Sequence, residues 1–127
     1  MRLSFTLLGD FDPDFVTNHL GLTPTDVAVR REGRPGSHKI AKDIWTLSRI
    51  YPDYLGTDKR IEGFLDELIG ISEKLDGLRK FREVEGVLSC VLWLDVEGPS
   101  PGIYLSEMAI AHLKELKVSF NVSLYFV

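Results

Sequence analysis

Four basic side chains crowd into the ten-residue stretch RREGRPGSHK, residues 30 to 39, which we call the basic stretch. They are Arg30, Arg31, Arg34 and Lys39, and Glu32 is the single acid among them. A guanidinium group donates two parallel hydrogen bonds to a carboxylate or a phosphate. The stretch therefore predicts contact with a protein partner that has an acidic surface, or with an anionic small ligand. A solvated hairpin tip, whose charges discourage edge pairing, is the alternative interpretation.

The distribution of charge predicts that anions are attracted to one segment of the chain and not to its whole surface. The 127 residues include 15 Lys or Arg and 19 Asp or Glu, for a net charge of −4. Residues 30 to 42 hold five of the bases and one of the acids, so this segment carries +4 and the rest of the chain −8. Non-specific nucleic-acid binding needs positive charge over a whole face. The balance argues against a nucleic-acid partner and favours steering of an acidic surface by the basic stretch.

Three aspartates at alternate positions, Asp10, Asp12 and Asp14, have the spacing of the first ligands in a calcium-binding loop. Such a loop also requires a glycine at its sixth position and a glutamate at its twelfth. Here those positions hold Phe15 and Gly21. Carboxylates at the start of a helix complement its dipole, so we predict helix capping and no metal site.

The remaining candidates for catalysis lack the required spacing. GRPGSHK differs from the phosphate-binding pattern G-x-x-x-x-G-K-[ST]. His19, His38 and His112 are scattered, and Cys90 lies in an apolar run where a thiol is typically a small buried hydrophobe. We predict no catalytic residue, no metal and no cofactor.

Near the start of the chain, apolar and polar residues alternate, and residues typical of helix ends follow. Residues 2 to 8 predict a half-buried strand, and Asp12, Pro13 and Gly21 frame a helix over residues 13 to 20. The buried side chains of this helix are expected to be Phe15, Val16 and Leu20.

Two further segments, near 26 to 31 and 42 to 50, predict a hairpin with the basic stretch at its tip. Trp45 and Leu47 are expected to point inward, with Thr46 and Ser48 outward.

From Thr57 the apolar period changes to three or four, which predicts one long helix. Its stripe comprises Ile61, Phe64, Leu65, Leu68, Ile71, Leu75, Leu78 and Phe81. Glycine disfavours a helix interior by about 1 kcal/mol, so we expect a bend or break near Asp76 and Gly77.

The last third predicts a strand, a capped helix and a final strand. The strand covers residues 86 to 96, a short strand covers 103 to 105, and Ser106 caps the helix that follows. The inward residues of the two strands are expected to be Leu88, Cys90, Leu92, Leu94, Val96, Val118, Phe120, Val122, Leu124 and Phe126, and the helix runs through Met108, Ile110, Ala111, Leu113 and Leu116.

This element order predicts an α+β fold in a single domain over residues 1–127: a mainly antiparallel sheet with helices on one face. A ferredoxin-like core with a C-terminal helix–strand extension fits it best. The opposite sheet face is then polar and aromatic, with Ser4, Thr6, Thr46, Ser48, Ser89, Trp93, Ser119, Asn121, Ser123 and Tyr125. Trp and Tyr give contact area at small entropic cost, which is typical of recognition surfaces. An ordinary wet sheet face is the alternative.

The assembled pattern resembles the bacterial domain of unknown function 4279 family. The matching segments are the opening F…GDFDPDFVTNHLGLTPT, the R…GRPG stretch, WTLS at 45 to 48, the long helix, and GIYLSEMAIAHLKELKVSFNVSLYF. The resemblance implies a small bacterial cytoplasmic protein without an established activity. By analogy with proteins encoded beside polymorphic toxins, it also implies an immunity-type role.

We therefore predict a non-enzymatic binding protein that uses Arg30, Arg31, Arg34, Lys39, Trp93 and Tyr125. The alternative is a domain that binds or converts a small molecule bearing phosphate or carboxylate, in a pocket lined by Arg31, Trp45 and Trp93. A homodimer formed through the polar sheet face is a third possibility. A lone cysteine and apolar runs of at most eight residues predict a cytoplasmic protein without membrane contact.

Overall fold

The computed structural model describes residues 1–29, 42–99 and 102–127. Along these ranges the elements are β1 (Arg2–Gly9), α1 (Pro13–Leu20), β2 (Asp26–Ala28), β3 (Asp43–Ile50), α2 (Thr57–Ile69), α3 (Ser72–Phe81), β4 (Val84–Leu94), α4 (Glu107–Leu116) and β5 (Val118–Phe126).

The five strands form one sheet in the order β2-β3-β1-β4-β5. β1 pairs antiparallel with β3 and with β4, β2 pairs antiparallel with β3, and β4 pairs parallel with β5. The first four strands with α1, α2 and α3 make the predicted ferredoxin-like core, and α4 with β5 is the C-terminal extension. The predicted α+β fold class is confirmed, and so is the hairpin of β2 with β3.

The hydrophobic core lies on one face of this sheet. Strand alternation places Leu3, Phe5 and Leu7 of β1 in the core, each with no exposed area. Trp45 of β3 packs edge-on against Phe5, with ring centroids 6.2 Å apart and planes at 78°. Burying one such large apolar side chain stabilises the fold by roughly 1.5–3 kcal/mol. Cys90 and Leu92 of β4 complete the layer, also without exposed area.

Helix α1 begins and ends at the predicted residues. Asp12 accepts the N–H of Asp14 at 3.0 Å, and Gly21 ends the helix at φ 71°, a left-handed conformation that glycine adopts without strain. Val16 and Leu20 are buried as expected, but the prediction for Phe15 is wrong. Phe15 is 46% exposed because its ring stacks on His19 on the solvent side, at 5.7 Å.

The long predicted helix is two helices, and the predicted break near Gly77 is wrong. The chain breaks at Gly70 and Ile71, where the Ile71 N–H donates to Leu68 O at 3.0 Å. Ile71 is 7% exposed, so the break keeps its side chain in the core. Gly77 lies within α3, and Phe81, expected inside, is 69% exposed at the last residue of that helix.

The C-terminal extension is less buried than the alternation predicts. Ser106 caps α4 by accepting the Ala109 N–H at 3.1 Å, as expected, but residues 103 to 105 form no strand. On α4 the core contacts come from Ala109, Leu113 and Leu116. Met108, Ile110 and Ala111 of α4 are exposed, and the strand residues expected inside that are exposed instead are Val96, Val122, Leu124 and Phe126. β5 is an edge strand, so neighbours cover it from one side alone.

Candidate functional site

The basic stretch lies outside the described residues, so the predicted roles of Arg30, Arg31, Arg34 and Lys39 stay predictions. Lys42, just after it, is described. Its Nζ lies 3.4 Å from Glu85 Oε2, and both side chains are more than half exposed. Such an exposed ion pair contributes at most about 1 kcal/mol to stability.

The sheet face turned away from the core, which we call the outer face, carries most of the polar strand residues. Pairing register lines them up in rows across the sheet. Ser4 on β1 lies between Ser48 on β3 and Ser89 on β4, and Asn121 on β5 follows Ser89. Side chains in such a row are nearest neighbours on one face, so the four strands present a continuous band of hydroxyl and amide groups.

Hydroxyl groups of the outer face bond to one another. Ser4 Oγ and Ser48 Oγ are 2.9 Å apart, and Thr6 Oγ1 and Thr46 Oγ1 are 3.3 Å apart. Thr25 Oγ1 accepts the Ser48 N–H at 2.9 Å. A hydroxyl offers one donor and two acceptor positions. Each pair therefore keeps capacity for a further hydrogen bond to a bound group.

One end of the outer face is aromatic and cationic. Trp93 on β4 and Tyr125 on β5 are paired in register, and their rings stack with centroids 6.3 Å apart and planes at 23°. The Arg2 guanidinium carbon lies 5.7 Å from the Trp93 ring centroid, within the range of a cation–π contact. Trp93 is 42% exposed and Tyr125 is 54% exposed. We call these three residues the aromatic cluster.

The outer face is concave. A depression of about 480 Å³ runs along it from Thr25 and Asp26 at one side to Ser123 and Tyr125 at the other. Ser4 is buried in its floor. The lining is therefore mainly hydroxyl and amide, with an aromatic side chain at one end.

The expected small-molecule pocket lined by Trp45 and Trp93 together does not form. Trp45 has no exposed area on the core side, where its Nε1–H donates to Thr17 Oγ1 at 3.1 Å. Trp93 lies on the outer face, so the sheet separates the two indoles. Arg31, the third expected lining residue, is outside the described ranges.

A second depression, of about 590 Å³, lies where β1 ends and β4 begins. The charged residues that line it are Asp10, Lys42, Glu83, Glu85 and Lys117. These three carboxylates and two ammonium groups give no single sign of potential. The lining therefore favours neither an anionic nor a strongly cationic ligand.

The described residues offer little for acid–base or metal chemistry. No group of three or more His, Cys, Asp or Glu converges within the described ranges. Burial raises the pKa of the Cys90 thiol, and the nearby N-terminal ammonium opposes this only in part. A buried neutral thiol is a poor nucleophile. His19 Nε2 lies 2.8 Å from Lys74 O, and His112 Nδ1 lies 3.5 Å from Asp66 Oδ1, so each imidazole has a structural partner.

Sequence reasoning found Trp93 and Tyr125 but missed Arg2 and Thr25. Arg2 lies on the same side of β1 as Ser4, so strand alternation was a signal for its outward position. Its contact with Trp93 depends on the pairing of β1 with β4, which alternation alone does not give. Thr25 precedes β2 and reaches Ser48 through the tertiary fold, and no local pattern marks it.

The fold and the outer face define an α+β protein with a ferredoxin-like core, a parallel edge extension and one polar sheet face that no helix of the described ranges covers. The sequence model of one family, described as Domain of unknown function (DUF4279), matches residues 1–127. The chain belongs to this family, as the sequence resemblance indicated. Comparison with curated proteins and with solved structures finds no match. Among the helices of the described ranges, none combines the length and the apolar character needed to cross a bilayer.

Proposed function

We propose that this protein is a non-enzymatic, partner-binding domain of the bacterial cytoplasm, with an immunity-type role, and that the outer face is its recognition surface. The observation that carries the proposal is the aromatic cluster. Trp93 and Tyr125 are about half exposed, yet they are already stacked and held by Arg2. A pre-ordered aromatic pair gives contact area without a large entropic cost on binding.

The shape of the outer face supports a macromolecular partner. The depression is broad and lined mainly by short side chains, among them Ser4, Thr46 and Ser48. Small-molecule sites are typically deeper and more apolar, with a few convergent polar groups. Hydroxyl and amide groups around an aromatic anchor match the composition of adaptable protein-recognition surfaces.

The basic stretch has a complementary role in this proposal. Its residues follow β2 and precede β3 in the chain, and β3 carries Thr46 and Ser48 on the outer face. Four bases in an otherwise acidic chain would orient an approaching acidic surface. Salt would then weaken association chiefly through its rate, since steering of this kind is screened over about 8 Å at physiological ionic strength.

Affinity capture from the native host tests the proposal. The wild type is compared with Trp93→Ala and with Phe81→Ala, because Phe81 is also an exposed aromatic residue but lies on α3, within the helical layer. We expect a protein that is retained by the wild type and by Phe81→Ala and lost with Trp93→Ala. Equal recovery with all three baits would contradict a role for the aromatic cluster.

A small anionic ligand remains the second candidate, because Arg2 forms no ion pair with any described residue. Its guanidinium group is therefore available to a carboxylate or a phosphate. Amide NMR titration with inorganic phosphate and with acetate tests this function. Saturable shifts centred on Arg2 and Ser4 would favour it over the protein partner, whereas uniform small shifts would remove it.

A further inference from the structure

The two edges of the sheet differ in a way that bears on self-association. β2 forms one edge, has three residues and includes Asp26. β5 forms the other edge and has nine residues, none of them charged and none of them proline. Proteins commonly protect an exposed edge by shortness, charge, proline or a bulge. β2 has the first two of these protections, and β5 has no charge or proline and is long.

The hydrogen-bond parity of β5 determines which backbone groups face outward. The Val127 N–H donates to Leu94 O at 2.8 Å, so residue 127 directs its backbone groups toward β4. Backbone groups alternate in direction along a strand, so residues 119, 121, 123 and 125 also face β4. The even-numbered residues from Val118 to Phe126 therefore direct N–H and C=O away from the sheet. No described residue pairs with these outward groups.

The same even-numbered residues carry the apolar side chains of β5. Toward the end of the strand they are poorly covered: Val122 is 38% exposed, Leu124 is 50% exposed and Phe126 is 66% exposed. Ile110 of α4 is also 55% exposed. At about 100° per residue, Ile110 lies roughly 200° around α4 from His112, which contacts α2. This places Ile110 on the side of α4 away from α2.

We propose that two copies of this chain associate through antiparallel pairing of their β5 strands about a two-fold axis at Val122. In an antiparallel pair, residues whose backbone N–H and C=O groups point toward the partner strand must lie opposite residues of the same kind. In β5 these are the even-numbered residues. With Val122 on the axis, Phe120 lies opposite Leu124 of the partner subunit, and Val118 lies opposite Phe126 of the partner subunit. All five even-numbered residues of β5 then lie opposite an even-numbered residue of the partner strand. If the axis moves by one or two residues, at least one of the five has no residue of the partner strand opposite it.

The side chains fit this register as well as the backbone does. On the core side, apolar residues lie opposite apolar residues along the whole strand. On the outer face, Asn121 lies opposite Ser123 of the partner subunit. One uncharged strand thus supplies both halves of the contact, which is the self-complementarity that a two-fold interface requires. For this reason we assign a second copy, rather than a strand of another protein, to this edge.

The first experiment measures mass against concentration by sedimentation equilibrium. We expect the weight-average mass to rise above 14.4 kDa and approach twice that value. Val122→Lys should keep the chain monomeric, because it places two ammonium groups on the axis. Val27→Lys is the matched control, since Val27 is 44% exposed on the opposite edge strand, and it should dimerise like the wild type. Circular dichroism establishes that each variant is folded.

A second experiment tests the register. Asn121→Cys and Ser123→Cys chains are mixed and oxidised. Non-hydrogen-bonded antiparallel neighbours have Cα atoms about 4.5 Å apart, which is within the range that a disulfide spans. The mixture should form a cross-linked dimer, and neither variant alone should do so. Cys90 is buried and will not compete.

A mass of 14.4 kDa at every concentration would overturn the proposal. So would a dimer that Val122→Lys leaves intact, or one that Val27→Lys abolishes. These outcomes are separate from the partner-capture result, because Trp93 and Val122 lie on opposite faces of the sheet.

Discussion

Trp93 and Tyr125 occupy paired positions on the parallel strands β4 and β5, and their rings stack on the outer face 6.3 Å apart. Parallel pairing of the last strand with β4 produces this contact. The two residues are 32 positions apart in the chain, and α4 lies between them. The extension therefore completes the aromatic cluster that the four-stranded core begins with Arg2 and Trp93.

Truncation of the two tryptophans should destabilise the fold to very different extents. Trp45→Ala should lower the free energy of unfolding by about 3–5 kcal/mol, because it removes a fully buried indole from the core. Trp93→Ala should lower it by less than about 1.5 kcal/mol, because Trp93 is 42% exposed and its ring stacks on Tyr125, which is itself 54% exposed. Urea denaturation followed by circular dichroism measures both. A large loss with Trp93→Ala would mean that the residue is structural.

The hydroxyl pair of Ser4 and Ser48 should contribute modestly to stability. A double-mutant cycle with Ser4→Ala and Ser48→Ala should give a coupling energy of about 0.5–1.5 kcal/mol, the usual range for a neutral hydrogen bond. Thermal denaturation of the four proteins supplies the measurement. A coupling energy near zero would show that each hydroxyl bonds equally well to water.

Two glycines should differ sharply when each is changed to alanine. A Cβ at Gly9 would meet the backbone oxygen of Glu83, which cannot move aside as a side chain can. Gly9→Ala should therefore destabilise the fold by about 1–3 kcal/mol through overpacking. Gly63→Ala should instead stabilise it by up to about 1 kcal/mol, because the site lies in α2 with open space around it. Destabilisation by both, measured as unfolding midpoints, would contradict this account.

The Cys90 thiol should react slowly in the folded protein. Burial raises its pKa, so the thiolate fraction near neutral pH is small, and the side chain has no exposed area. Alkylation by a maleimide should be much slower in buffer than in urea, with Asn18→Cys, at an exposed position on α1, as an accessible control. Equal rates for the native protein and its unfolded form would contradict the burial.

The raised pKa of the Cys90 thiol also makes the free energy of unfolding depend on pH. The unfolded chain loses the thiol proton at the ordinary pKa, and the folded chain loses it at a higher pH. The contribution of the Cys90 thiol to the free energy of unfolding is therefore fully present below the ordinary thiol pKa. It declines as the pH rises through and above that pKa. Cys90→Ala should make the alkaline decline of the unfolding free energy shallower. An identical alkaline slope in both proteins would remove the thiol from the explanation.

Most of the fold was predictable because strand alternation and helix caps are local. Asp12, Gly21 and Ser106 frame α1 and α4 through contacts within a few residues, and these predictions are confirmed. The inward and outward faces of β1 and β4 follow from a period of two. The family resemblance was likewise visible in the sequence.

The predictions of side-chain burial that were wrong concern positions where burial depends on how far neighbouring elements extend. Periodicity gives the direction of Phe15, Val122 and Phe126 but not whether another element lies there to cover them, and all three are exposed. The helix breaks at Gly70 and not at Gly77, and local propensity could not choose between them because glycine has the same intrinsic cost at either position. For the candidate site, Trp93 and Tyr125 came from alternation, whereas the contact of Arg2 with Trp93 required the strand order.

Because the large apolar side chains are concentrated on the core side of the sheet, folding and surface chemistry are largely separable in this molecule. Substitutions at outward positions such as Ser89 and Asn121 alter few buried contacts. Such positions can accumulate change at little thermodynamic penalty while the interior is kept. In a fold of this kind, the chemistry of the outer face can change during evolution while the core and the strand order stay the same.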